Sequence, residues 1–209
     1  MLYKRIFVIV TDSMGIGEAK DASKYNDLGS NTFGHIADLS LNFNVPTLEW
    51  LGIGNICKNT KIPPKKAPNG VVARMHELSV GKDTLTGHFE IMGLNVLTPY
   101  PSFTDTGFPD ELIKMLEDFS RRKVIGNISA SGTEIIKDLG EEQLNTGALI
   151  VYTSADSVLQ IAANEEIIPL EELYKICEYA RCITIENKDW QVGRIIARPF
   201  VGKTKDTFK

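Results

Sequence analysis

The residues Gly81-Lys82-Asp83-Thr84-Leu85-Thr86-Gly87-His88 put two glycines, a lysine, an aspartate, two threonine hydroxyls and a histidine side by side. They keep neither a helical nor a strand period, so they read as a loop running into a structured segment. The glycines let the backbone turn and come close to a ligand. Lys82 can meet an anion, and a threonine hydroxyl can ligate a metal or act as a nucleophile. The same residues also fit a polar turn ending in a capped helix, so their surroundings decide between the readings. Asp12 stands at the end of the apolar run Ile6–Val10, where it is either a cap for the next turn or a ligand for a hard cation. Ser154 and Asp156 close a second apolar run, and hydroxyls with a carboxylate suit sugar hydroxyls. Arg194 and Arg198, four apart, share a face of a regular strand. Their guanidinium groups suit phosphate, or the solubility of an edge strand.

These groups need elements to hold them. Ile6–Val10 is a continuous β-branched and aromatic run, predicting a strand buried on both faces of a parallel sheet. Gly15-x-Gly17 is not a dinucleotide loop, because Lys20 stands where the third glycine belongs. Thr32 is expected to cap a short helix ending near Leu41 with His35 on its first turn, and Pro46 to Leu51 to form another stopped by Gly52. The alternation over Val71 to Leu78 predicts a strand delivering the chain to Gly81. A short helix is expected after Thr84. Pro99-Tyr100-Pro101 divides the chain into 1–98 and 99–209. Beyond it we expect helices over Pro109 to Ser120 and Pro169 to Arg181. A two-turn helix opens on the Ser131-x-x-Glu134 capping box and stops at Gly140. Strands are expected over Lys123 to Ile128, Ala148 to Tyr152 and Gln191 to Phe200.

The composition is that of a globular protein with a real core: 209 residues, 43% apolar and 24% charged. A net charge of −4 argues against a nucleic-acid or anionic-membrane partner. Cys57, Cys177 and Cys182 lack metal-binding spacing and read as reduced thiols in a cytoplasmic protein. The N-terminal apolar run is too short for a membrane span or a signal peptide.

Four stretches resemble bacterial phosphopentomutases of the alkaline-phosphatase-like superfamily: 10–19, 81–88, 152–163 and 192–200. The resemblance implies an α/β fold, with part of a metal-bearing core sheet in 1–98 and a smaller α/β cap in 99–209. It implies interconversion of ribose (or deoxyribose) 1-phosphate and 5-phosphate with two Mn²⁺ ions and a sugar bisphosphate activator. By position, Asp12 matches a metal-binding aspartate. Thr84 matches the residue that carries the phosphoryl group and touches a metal. Ser154, Asp156, Arg194 and Ile196 match the cap residues facing the pentose phosphate. The family's remaining metal ligands, with an Asp-His-Gly segment, have no counterpart here. These 209 residues alone are therefore expected to bind metal poorly and to turn over little. The rivals are a related metal-dependent phosphatase or phosphoglycerate mutase, and a non-catalytic sugar-phosphate-binding fragment.

Overall fold

A computed structural model describes residues 3–59, 61–81 and 83–209. They fall into two compact units, Met1–Glu77 and Leu78–Lys209. Residues 78–98 thus group by contact with the segment that follows Pro99.

The first unit holds two short helices, α1 (Thr32–Leu39) and α2 (Pro46–Leu51), around a small cluster of Phe33, Ala37, Cys57 and Ile62. The cap of α1 is Asn31 rather than Thr32. Its side chain accepts from the Gly34 amide at 3.3 Å and from the Gly17 amide at 3.0 Å, tying the 12–17 loop to the helix. Lys61 closes the other end, its Nζ donating to the carbonyls of Ala37, Asp38 and Ser40. Gly52 ends α2 at φ 104°, where glycine carries no Cβ penalty.

Two expected strands of this unit are not formed. Residues 6–10 belong to no strand, and Ile6 and Ile9 are 83% and 89% exposed. Residues 71–78 likewise belong to no strand, with Val71 and Met75 exposed. A strand of the doubly buried kind exists only through its neighbours, which supply both ladder partners and cover. Among the described residues of this unit the only bridge is the isolated pair Asn59–Ile62.

The second unit packs helices on both faces of an open four-stranded sheet. After α3 (Thr84–Ile91) come α4 (Asp110–Ser120), β1 (Val124–Ser129), α5 (Gly132–Thr146), β2 (Leu149–Thr153), β3 (Val158–Asn164), α6 (Leu170–Glu186) and β4 (Arg194–Phe200). The sheet order is β1-β2-β3-β4. β1 and β2 run parallel through the α5 crossover, β2 and β3 form an antiparallel hairpin, and β3 and β4 run parallel through α6. Alternate residues of β2 serve opposite faces. Leu149 and Val151 pack with Leu112, Leu116, Leu173 and Ile176 from α4 and α6, while Ile150 and Tyr152 pack with Ile135 and Ile136 from α5. That two-sided burial is why 149–153 reads as an unbroken apolar run.

Two expectations for this unit change. The capping-box helix runs to Thr146, not to Gly140, and the Ser131 hydroxyl makes no cap bond. It contacts the Thr133 hydroxyl at 3.0 Å instead. Gly140 lies inside the helix, where a Cβ would come within 2.5 Å of the Phe208 ring, so glycine is there for space and not as a stop. The actual stop is Gly147, at φ 68°. Strand β3 has no counterpart among the expected elements: Val158–Asn164 follows β2 after the four residues 154–157, which hold no glycine to mark a hairpin turn. No helix among the described residues is long and apolar enough to cross a membrane.

Candidate active site

The topology of the second unit brings one set of polar groups together. The β2–β3 turn, residues 154–157, lies at the carboxyl end of β2. Because β4 runs parallel to β3 and pairs Arg194 with Val158, Arg194 starts its strand beside that turn. In α/β sheets such strand ends are where ligand-handling groups collect.

Thr84 is the first residue of α3 and is exposed. Its Oγ1 donates to Asp156, at 3.2 Å from Oδ2 and 3.4 Å from Oδ1. Arg194 Nη2 donates to the same Oδ2 at 2.7 Å, a half-buried ion pair with side chains 34% and 30% exposed. Arg194 Nε is buried with no partner. The hydroxyl, the carboxylate and the guanidinium thus form one line. The N-terminus of α3 adds the positive end of a helix dipole beside Thr84, favourable to an anion there.

The sequence missed two groups that shape this line. Asp83 is the N-cap of α3, its Oδ1 accepting from the Leu85 amide at 2.8 Å. Its Oδ2 accepts from the Ser157 amide at 2.7 Å. Ser157, buried, accepts through its carbonyl from the Gly193 and Arg194 amides, and its hydroxyl donates to the Pro101 carbonyl at 2.7 Å. An aspartate before a helix is legible as a cap. Its second partner, 74 residues later, is not.

The other expected residues fall as follows. Ser154 is half-buried in the turn, and its carbonyl accepts from the Thr104 hydroxyl at 3.2 Å. Ile196 is half-buried on β4, opposite Gln160, and borders an open groove of about 460 Å³ with Arg181, Arg194 and Ile195. Arg198 does not join the cluster. It packs against Gly132 at the start of α5, its Nε buried and unpartnered. Nearby, Tyr152 donates to Gln160 Oε1 at 3.0 Å, and burial pushes its phenol above the ordinary value. Lys82, expected to meet an anion, lies outside the described residues.

Asp12 belongs to the first unit, on an exposed turn where the Ser13 hydroxyl donates to its Oδ1 at 3.3 Å. Asp12 and Thr84 offer hard, exposed oxygens, the donor type a Mn²⁺- or Mg²⁺-class ion takes. Such ions want about six donors. Among the described residues no three His, Cys, Asp or Glu side chains gather as a metal-holding group. Each of the two residues by itself therefore supplies only one donor of such a set.

Residues 4–194 match the family described as the metalloenzyme superfamily. A phosphopentomutase from Clostridium perfringens (strain 13 / Type A) is 54% identical over 207 residues, covering 99% of this chain and 52% of that protein. The chain spans about half the length of this curated relative.

Proposed function

Because this chain belongs to the metalloenzyme superfamily, we propose that it is the Thr84-bearing part of a phosphopentomutase, interconverting (deoxy)ribose 1-phosphate and 5-phosphate. The observation that carries the reading is the line Thr84 Oγ1–Asp156–Arg194, with contacts of 3.2 and 2.7 Å. A hydroxyl that can carry phosphate stands beside a guanidinium that can hold one. The relative named for this reaction shares 54% of its aligned residues with the chain.

The reaction divides into two transfers. The free C5 hydroxyl of a bound pentose 1-phosphate attacks the phosphorus on Thr84. The bond from phosphorus to Oγ1 breaks, and Oγ1 takes up a proton as the hydroxyl loses one. The phosphoryl group on C1 of the resulting bisphosphate then passes to Thr84 Oγ1, leaving the 5-phosphate and a recharged enzyme. No atom is gained or lost, and a sugar bisphosphate serves equally to charge an empty Thr84. A phosphoryl group carries up to about two negative charges at neutral pH, so it cannot share the present hydroxyl–carboxylate contact. On phosphorylation, Asp156 turns to a sugar hydroxyl and Arg194 to phosphate. Ser154 and Ile196 line the sugar's other side.

Asp12 and Thr84 are each read as a ligand for a divalent cation, Mn²⁺ in our reading, with further donors from outside these residues. That ion would neutralise charge on the transferring phosphoryl group. With so few donors, the 209 residues alone are expected to be inactive. Free Cys57, Cys177 and Cys182 agree with a reducing, cytoplasmic setting.

The test is phosphopeptide mass spectrometry of the full-length enzyme in turnover. We expect phosphate on Thr84 and, in Thr84→Ala, a loss of pentose phosphate isomerisation by at least about 10³-fold. Phosphate on another residue, or full activity in the variant, ends the assignment.

A further inference from the structure

Asp83 bonds two parts of the second unit that are far apart in sequence. One carboxylate oxygen caps α3 immediately behind Thr84, through the Leu85 amide. The other holds the amide of Ser157, the residue next to Asp156. Ser157 passes the constraint on, because its carbonyl accepts from the amides of Gly193 and Arg194 at 2.9 and 3.3 Å. Its hydroxyl is held separately by the Pro101 carbonyl, so the residue is fixed at three points. Each member of the line Thr84–Asp156–Arg194 is thus adjacent to, or part of, a backbone segment tied to one carboxylate. Lining these groups up by side-chain contacts alone would leave the turn at 154–157 free to shift by the ångström or so that group transfer does not tolerate.

We propose that Asp83 is a positioning residue, a strap whose two oxygens register the phosphate-carrying hydroxyl against the turn and strand that hold the acceptor sugar. The proposal rests on the reading of Thr84 as phosphoryl carrier. Its consequence is specific: the strap decides whether phosphate on Thr84 goes to a sugar hydroxyl or to water. With the strap intact, the acceptor hydroxyl meets the phosphorus first. With it cut, Thr84 still accepts and loses phosphate, but the sugar is misplaced and water competes.

The experiment compares unsubstituted full-length protein with Asp83→Ala, Asp83→Asn and, as a control away from the site, Glu117→Gln. Two quantities are read: phosphate released to solvent per isomerisation, and hydrogen exchange at the Ser157 amide. Asp83→Ala is expected to raise the ratio of hydrolysis to transfer about tenfold or more, and to speed Ser157 exchange about tenfold. Asp83→Asn keeps one carbonyl acceptor in place of two oxygens and is expected to fall between. Glu117→Gln should move neither, since a loss of stability alone lowers the amount of folded enzyme without changing where phosphate goes. An unchanged partition in Asp83→Ala, or unchanged Ser157 exchange, overturns the strap. If unsubstituted protein fails to isomerise pentose phosphates, it is the function reading that has failed, and the exchange arm judges the strap's geometry by itself.

Discussion

The same kind of sequence behaves oppositely in the two units. Leu149–Thr153 and Val158–Asn164 are buried at every position. Ile6-Phe7-Val8-Ile9-Val10, no less apolar and no less β-branched, is exposed at every position. Propensity does not separate them, because both runs fit a pleated, covered surface. What differs is company. β2 has a parallel neighbour, an antiparallel neighbour and helices on both faces, all within residues 110–200. The run at 6–10 has no ladder partner among the described residues. The central strands of the second unit are therefore covered on both faces, while the first unit leaves apolar strand material exposed.

The sharpest way to break this contrast is a pair of truncations to alanine. Ile161 is fully buried between the sheet and α4 and α6, so Ile161→Ala removes transfer energy and leaves a cavity. In the 209-residue chain we expect a cost of about 2–5 kcal/mol by urea denaturation. Ile9→Ala deletes a side chain that is 89% exposed and should stay within about 0.5 kcal/mol. If the full-length protein covers that run with the rest of a core sheet, Ile9→Ala there should cost as much as Ile161→Ala. Equal costs already in the short chain would show that residues 6–10 are buried after all and dissolve the comparison.

This contrast also explains what could be read in the sequence. Helices with their own punctuation were legible. Pro46 and Gly52 bracket α2, and Pro109, Asp110 and Glu111 open α4 at the dipole's positive end. The strands β1, β2 and β4 were legible from apolar runs whose partners lie nearby in the chain. Ile6–Val10 was read by the same rule and came out otherwise, because a local pattern cannot say whether a neighbour exists. The run to Gly140 was misjudged because a glycine inside a helix looks like a stop until Phe208 is seen to need the space. At the candidate site, Thr84, Asp156 and Arg194 could be picked out one at a time. Their meeting could not, since it follows from the β2–β3 hairpin, and β3 went unread. The second bond of Asp83 is a contact across 74 residues that leaves no periodicity to detect.

A smaller but more local contrast lies in two thiols, Cys57 buried and Cys177 half-buried. Cys57 belongs to the four-residue cluster of the first unit, and Cys177 packs against the large cluster of the second. Burial raises both pKa values, with the Asp38 charge adding at Cys57, and Cys177 is pushed up from 9.0 to about 11. Both are thus neutral and protected near pH 8, where only thiolate reacts. A pulse of N-ethylmaleimide at rising urea should label Cys57 at a lower concentration than Cys177, because the smaller cluster opens first. Labelling of Cys182, exposed on α6, should be fast throughout. Simultaneous labelling of Cys57 and Cys177 would mean that the two units open together. The alkaline limb follows from the sign of the shift. A thiol whose folded value is raised stabilises the fold fully below 9.0 and loses that contribution as pH climbs toward about 11.

The smallest expected effect concerns how the second unit holds its elements together. Glu117 on α4 accepts from the Val124 amide at 2.9 Å, where β1 begins, and from Lys123 Nζ at 3.1 Å. The Val124 amide, helped by Lys123, holds its carboxyl below the ordinary glutamate value of 4.5 against the opposing effect of burial. Glu90 does the same for the lead-in to α3, and its carboxyl is likewise lowered, first by the Ser79 side chain and then by the amides of Leu78 and Ser79 that it accepts from. A lowered carboxylate contributes its stability above the unfolded value and loses it as pH falls through the folded one, so both ties act above 4.5 and fade below it. Glu117→Gln should therefore lower stability by no more than about 1 kcal/mol at neutral pH, because water screens a group this near the surface. It should also flatten the fall in stability below pH 4.5, where the unsubstituted carboxylate would be taking up its proton. The amide side chain still accepts from Val124, so the loss at neutral pH isolates the charge rather than the bond. Unfolding midpoints of the two proteins that converge as pH falls below that value would bear this out. A constant gap at every pH would place the effect in packing, and would make the tie between α4 and β1 a matter of shape rather than of charge.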